Sequence, residues 1–226
     1  MTFSNSMWHI LNASLAKRME QTIAGIAAWS IGACITAELL GYWLHRLLHS
    51  GLIGFLSRSH MRHHMVFYGP LQKQRTHGYL DATEGSLSLG NIGLEWLIPT
   101  VLVIGIALAL FHHFHIGFVY QLLSLGITVA WSFLMFSYLH DLMHVDGVWV
   151  ERSKWLGHWF VTARRLHDIH HHLINGQGLM DKNFGIGFFF FDRLFGTFSP
   201  TGATFNWLGY ERARYKWSSL FMRRFD

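Results

Sequence analysis

Residues 22–49 read TIAGIAAWSIGACITAELLGYWLHRLLH. The first part, Thr22 to Leu44, carries a single charge, Glu38, and as an α-helix it reaches about 34 Å, enough to cross a bilayer. The remaining five residues place His45 and His49 one turn apart on one helical face. A cleaved signal peptide fits worse: its apolar centre is only about 7 to 15 residues and a small-residue cleavage site follows it. Here Tyr42, Trp43 and His45 follow instead. The stretch predicts a retained transmembrane helix that ends in a pair of imidazoles.

Two more apolar stretches lie downstream, from about Ile92 to Phe111, with Glu95 and Pro99 near its start, and from about Ile116 to Leu139. Only His112 to His115 separates them, so they form a helical hairpin whose outer ends share one side of the membrane. The predicted fold is all-α: one domain over residues 1–226, an integral membrane helical bundle of three or four spans. The spans are 22–44, 92–111 and 116–139, and residues 1–21 form an interfacial segment or part of a fourth. Residues 45–91 and 140–226 form a helical cap. The composition agrees. Of 226 residues 51% are apolar and 14% charged, against roughly 25% charged in soluble domains. The single cysteine, Cys34, excludes an intramolecular disulfide framework.

Two of the 18 lysines and arginines precede the first span, five lie between the first and second, none lies in the hairpin loop and eleven follow the third. The positive-inside rule makes the cap cytoplasmic, and the expected location is the bacterial inner membrane rather than the endoplasmic reticulum. Topology and anionic headgroups account for the net charge of +5. Nucleic acid is not an expected partner, since no zinc-finger, RNP or helix-turn-helix signature accompanies the charge. The basic, aromatic tail RARYKWSSLFMRR (Arg212 to Arg224) has the composition of an interfacial segment.

Histidine is the unusual residue, with 17 copies against 13 acidic side chains. Outside the hairpin loop most fall into four groups: HRLLH (His45, His49), HMRHH (His60, His63, His64), HDLMH (His140, His144) and HDIHH (His167, His170, His171). Helical spacing of i, i+3 and i+4 points the imidazoles of each group in a common direction. Neutral imidazole suits iron, zinc, copper or nickel. Ten nitrogens exceed what one ion holds, so two metals with about five ligands each is the simplest arrangement. A lone histidine near a span end is ordinarily an interfacial residue; it is the repetition, in one layer outside the bilayer, that points to metal. His112, His113 and His115 lie at the opposite membrane face, which excludes them. His172 is expected beside the site rather than in it, and His77 and His158 as structural.

Acidic or amide groups accepting from the far ring nitrogens would fix tautomer and orientation. Candidates are Asp141 and Asp168, each directly after the first histidine of a box, with Asp181, Asn175, Asn183 and Glu38; Asp146 is also near in sequence. The alternative for each acid is a surface position or an ion pair with Arg152, Arg164 or Arg165. Glu38 differs, because a carboxylate inside a span is costly unless paired or functional.

GYWLHRLLH, HMRHH, HDLMH and HDIHH in this order, with DKNFGIGFFFFDRLFGTF (Asp181 to Phe198) closing the pattern, resemble the fatty acid hydroxylase/sterol desaturase superfamily of integral membrane di-iron proteins. The resemblance spans roughly Glu38 to Phe198. It implies two iron ions held by the ten box histidines, with zinc as a substitute in a preparation, and no catalytic group beyond the ligands. It implies O2-dependent hydroxylation of an unactivated C–H bond in a membrane lipid, or less often desaturation. The chain carries no recognisable electron-transfer domain, so electrons would come from a separate ferredoxin-like or cytochrome b5-like donor with its reductase. Two rivals stand beside this reading. A zinc-dependent lipid hydrolase or isomerase would use the same imidazoles. A metal transporter fits less well, since transporters place ligands at the bilayer midplane. The lipid, the carbon attacked and the oligomeric state stay open. Asp192 and Arg193 of the closing motif are expected to be structural, and Phe188 to Phe191 to dip into the bilayer.

Overall fold

The computed structural model describes residues 3–71 and 94–220, and every regular element among them is helical. Helix α1 spans Phe3–Ser50 without a break, about 72 Å at 1.5 Å per residue, so residues 3–21 continue the line of the first span. It stops at Gly51, whose φ of +72° is the left-handed turn that glycine adopts without a Cβ clash. Helix α2 covers Gly54–Arg62 and runs into a π-helical turn over His63–Phe67. Helices α3 (Leu94–His113) and α4 (Phe118–Phe133) form the hairpin. A second π-helical turn, Leu134–Leu139, joins α4 to the short α5 (His140–Met143). The cap continues with α6 (Gly157–His172), α7 (Phe190–Leu194) and α8 (Trp207–Lys216).

Two helices are long and apolar enough to cross a membrane, within Leu15–Ser50 and Phe118–Met143, while the apolar part of α3, Pro99–His113, is shorter. The start of the expected span 92–111 lies outside the described residues, as does His77. Helices α1 and α4 run parallel. Gly25 approaches the Tyr120 hydroxyl, Thr128 donates to the Ala33 carbonyl at 3.4 Å, and Trp131 Nε1 donates to Glu38 Oε1 at 2.8 Å. Further along, a Cβ on Gly41 would sit 1.9 Å from the Phe136 ring. This pairing brings HRLLH at the end of α1 and HDLMH at the end of α4–α5 to the same level. His112, at the end of α3, and His115, in the turn that follows, lie at the far end of the bundle, where α3 turns into α4.

Beyond that level, two apolar clusters pack around the histidines. One joins Met135 and Leu139 to Phe160, Ala163, Ile186 and Phe189. The other, Met61, Met65, Ile174, Met180, Ala213 and Trp217, includes no residue of a spanning helix. Arg164, buried on α6, ties the loop after HDLMH to HDIHH. It donates to the Val145 carbonyl at 3.0 Å, pairs with Glu151 at 3.2 Å and Asp146 at 3.8 Å, and stacks on Phe160.

Candidate metal centre

All ten box histidines converge between the two apolar clusters. They sort into two adjoining groups whose ligand atoms lie within 4.8 Å of one another: His63, His140, His144, His167 and His171, and His45, His49, His64 and His170. His60 joins the second group, with its Nε2 3.0 Å from those of both His49 and His64. HRLLH belongs wholly to one group and HDLMH wholly to the other. HMRHH and HDIHH are each divided, because neighbours such as His63 and His64 project about 100° apart on a helix. The sequence expectation of one direction per box therefore holds for two boxes and fails for two.

The nitrogen spacing cannot be a hydrogen-bond network. His49 Nε2 lies 3.2 Å from His45 Nε2, 3.0 Å from His60 Nε2 and 3.0 Å from His170 Nε2. A ring nitrogen has one N–H or one lone pair in its plane, so at most one of these contacts is a hydrogen bond. Backbone carbonyls only accept, so His45 donates from Nδ1 to Phe184 O and His170 from Nδ1 to Lys182 O, both at 2.6 Å. Each therefore presents a bare Nε2 lone pair to the group, as His171 does through a 3.0 Å bond to the Tyr68 carbonyl. In the other group His167 Nε2 lies 3.2 Å from His144 Nε2 and 3.1 Å from His171 Nε2. Nitrogens bound to one ion at about 2.0 to 2.1 Å stand about 2.9 to 3.4 Å apart, so the spacing fits shared cations.

Electrostatics agree. Burial, and then the crowding of other imidazoles, holds His60, His63, His64, His167 and His171 well below the ordinary histidine value. Burial lowers His170 to about 4, although its bond to Lys182 O opposes the shift. At neutral pH these rings are uncharged, the form that binds metal.

Three of the orienting groups are backbone carbonyls, those of Phe184, Lys182 and Tyr68. Asp141 does face its neighbour, with Oδ1 3.5 Å from His140 Nδ1, and Asp168 is half-buried on α6. Asp181, however, accepts from Asn175 Nδ2 at 3.1 Å. Asn175 also shapes its own turn, accepting from Gln177 N and Leu179 N. Asn183 holds the segment that supplies two of the carbonyls. At φ +54°, a left-handed conformation asparagine tolerates, it donates to Leu166 O and Ser199 O and accepts from Ser199 N. Residues 182 and 184, on either side of it, present their oxygens to His170 and His45.

Behind Phe184 stands Asp192, fully buried. Its carboxylate accepts from Phe184 N at 2.7 Å, Gly185 N at 2.8 Å and Thr197 Oγ1 at 2.8 Å. Burial pushes its pKa up, against these hydrogen bonds. The structural role expected for Asp192 and Arg193 agrees with this, Arg193 stacking on Phe198. Tyr68 was not anticipated: its ring packs on His144 and His171 and its carbonyl orients His171, a role no residue type announces. Glu38 lies on the same face of α1 as His45, about 10 Å away along the axis, with Oε2 buried and unpartnered. His172 turns aside to the Pro70 carbonyl at 3.3 Å, and His158 is exposed.

No curated protein and no solved structure matches the chain. The family model described as fatty acid hydroxylase matches residues 30–197, a range that contains every histidine of both groups and the Asp192 loop. This is a family of lipid hydroxylases and desaturases within the fatty acid hydroxylase/sterol desaturase superfamily. With its histidine layer at the ends of two apolar helices, the chain is a helical membrane protein that belongs to the fatty acid hydroxylase family.

Proposed function

We propose that the protein is a membrane-bound di-iron oxygenase that hydroxylates an unactivated C–H bond of a lipid, using O2 and two electrons from a separate donor. The observation that carries this reading is the convergence of ten imidazoles into two adjoining groups, five rings each once His60 is included. His45, His49, His60, His64 and His170 would hold one iron, and His63, His140, His144, His167 and His171 the other. Bound iron supplies the O2 and redox chemistry that no protein side chain provides.

The chain's own contribution is orientation, exclusion of water and placement of the lipid. Carbonyls of Phe184, Lys182 and Tyr68 fix ring tautomers. The cluster of Met135, Leu139, Phe160, Ile186 and Phe189 closes the span side of the site with apolar side chains. Phe188, 45% exposed and stacked on Trp131, stands at that boundary. A lipid in the bilayer reaches the site from there, while the cap faces the cytoplasm of a bacterial inner membrane, a sidedness that the distribution of lysine and arginine supports. No nucleic acid enters this reading.

The test is iron-loaded protein in lipid nanodiscs, supplied with a chemical reductant and labelled O2, followed by lipid mass spectrometry. One labelled oxygen added to one lipid species is expected. A species lighter by two hydrogens would assign desaturation, and product formed without O2 by zinc-loaded protein would assign hydrolysis or isomerisation instead.

A further inference from the structure

Two aromatic routes lead out of the histidine layer. One passes from His45 through Phe184, Tyr42 and Phe195 to Trp43, on the apolar first span. The other starts at His172, the chain neighbour of His171. The His172 ring, held by its bond to the Pro70 carbonyl, lies 5.0 Å from Phe205. Phe205 lies 5.0 Å from Trp207 and 5.5 Å from Tyr210. Trp207 is 61% exposed. Side chains in contact from a metal-ligand neighbour to the surface offer a short path along which an electron can tunnel into a buried site.

The surface where this route ends has a distinctive chemistry. Helix α8 exposes Trp207, Leu208 and Tyr215 together with Arg212, Arg214 and Lys216. Its one acid, Glu211, is paired with Arg214 at 3.7 Å. The cluster beneath α8, built on Met61, Met65, Ile174, Met180, Ala213 and Trp217, includes no residue of the spanning helices. The cluster on the other side of the histidines contains Met135 and Leu139 of a span. The α8 face thus covers the cluster that holds no residue of the spanning helices, and its exposed side chains are open to a soluble protein. A basic rim around exposed aromatic side chains complements an acidic protein surface and steers its encounter.

We propose that the Trp207–Lys216 face is the docking surface for a soluble, acidic one-electron carrier protein, with Trp207, Phe205 and His172 forming the electron's route to His171. The proposal rests on the oxygenase reading above. Two reduced carriers dock in turn and each loses one electron. With two protons, these electrons balance the conversion of O2 and one C–H bond into one C–OH and one water.

The experiment uses the iron-loaded full chain in zwitterionic nanodiscs and an acidic plant-type [2Fe–2S] ferredoxin as probe. Calorimetry at low salt measures binding of the oxidised ferredoxin, and stopped flow measures iron reduction by the reduced form. The triple variant Arg212→Glu, Arg214→Glu, Lys216→Glu is expected to weaken binding at least ten-fold and to flatten its salt dependence, with iron content unchanged. Dithionite, which needs no docking face, reduces variant and parent alike. Trp207→Leu is expected to slow reduction by ferredoxin several-fold at saturating concentration, with iron content unchanged. Wild-type ferredoxin binding and reduction in the triple variant would overturn the proposal. So would quenching of a fluorophore on Tyr215→Cys by lipid-borne quenchers, which would make the face a membrane surface. Failure of dithionite and O2 to yield any hydroxylated lipid would overturn the oxygenase reading, and calorimetry still reads the docking face separately.

Discussion

His45 donates its Nδ1 proton to the carbonyl oxygen of Phe184 at 2.6 Å, across 139 residues of sequence. The same Phe184 peptide donates its N–H to Asp192 at 2.7 Å. The closing loop thereby sets the orientation of a ring on the first span. Replacing Asp192 by Ala leaves two buried backbone donors, Phe184 N and Gly185 N, without an acceptor, at about 1 to 3 kcal/mol each. The expected outcome is a drop in melting temperature of at least several degrees and loss of metal from the His45 group first, read by thermal unfolding and metal analysis. Retention of both metals and of stability would show that the loop does not support the site.

Asn183→Gly preserves the left-handed backbone and removes the side-chain bonds to Leu166 and Ser199, whereas Asn183→Ala loses the bonds and strains φ as well. The alanine variant should be the less stable, by about 1 kcal/mol beyond the glycine variant. Denaturant unfolding of the pair measures the difference.

The division of the histidines predicts stoichiometry. His144→Ala removes a ring from one group only, so metal content should fall from two ions per chain toward one. His64→Ala should do the same through the other group. His113→Ala, at the far end of the bundle, should leave two. Elemental analysis of the purified variants decides this, and equal loss in all three would contradict the placement of the site.

Acid should destabilise the metal-free protein. His170 has a folded pKa of about 4 against an ordinary 6.5, so between those values the unfolded chain binds a proton that the folded chain does not. Stability is present above pH 6.5 and is lost as pH falls toward 4, by about 3 kcal/mol from this one ring. The other lowered histidines add in the same direction. Unfolding free energy followed from pH 7 to pH 4, with and without metal, checks the sign, and metal binding should shift the loss to lower pH.

Gly41 on α1 faces Phe136 in the π-helical turn after α4, and Gly41→Ala would drive a methyl group into the Phe136 ring. Overpacking of this kind costs about 1 to 3 kcal/mol, and it should loosen the pairing that aligns HRLLH with HDLMH. Reduced thermal stability together with reduced metal retention is expected.

The helical character of the chain, the helices able to span and the four boxes were legible in the sequence because each rests on a local period. Twenty-three residues with one charge announce Thr22 to Leu44, and HRLLH announces a shared face. Which histidine belongs to which group was not legible. His170 and His171 are adjacent in sequence yet sit in different groups, a division set by how α6 lies against α1 and α5, through contacts between distant segments. The acids flanking the boxes are orienting partners that a sequence can suggest, because their side chains have names. Three of the orienting groups are main-chain carbonyls of Tyr68, Lys182 and Phe184, which no residue type marks. The two π-helical turns beside His63 and His140 shift the register of the faces they join, and nothing in composition foretells them.

The His49–His170 approach, 121 residues apart, has a consequence for biosynthesis. A ribosome that has delivered α1 and the α3–α4 hairpin to the membrane has still not made HDIHH or the loop that braces His45. Neither group of imidazoles is complete until α6 has been made, so a polypeptide that stops before Gly157 lacks rings of both groups.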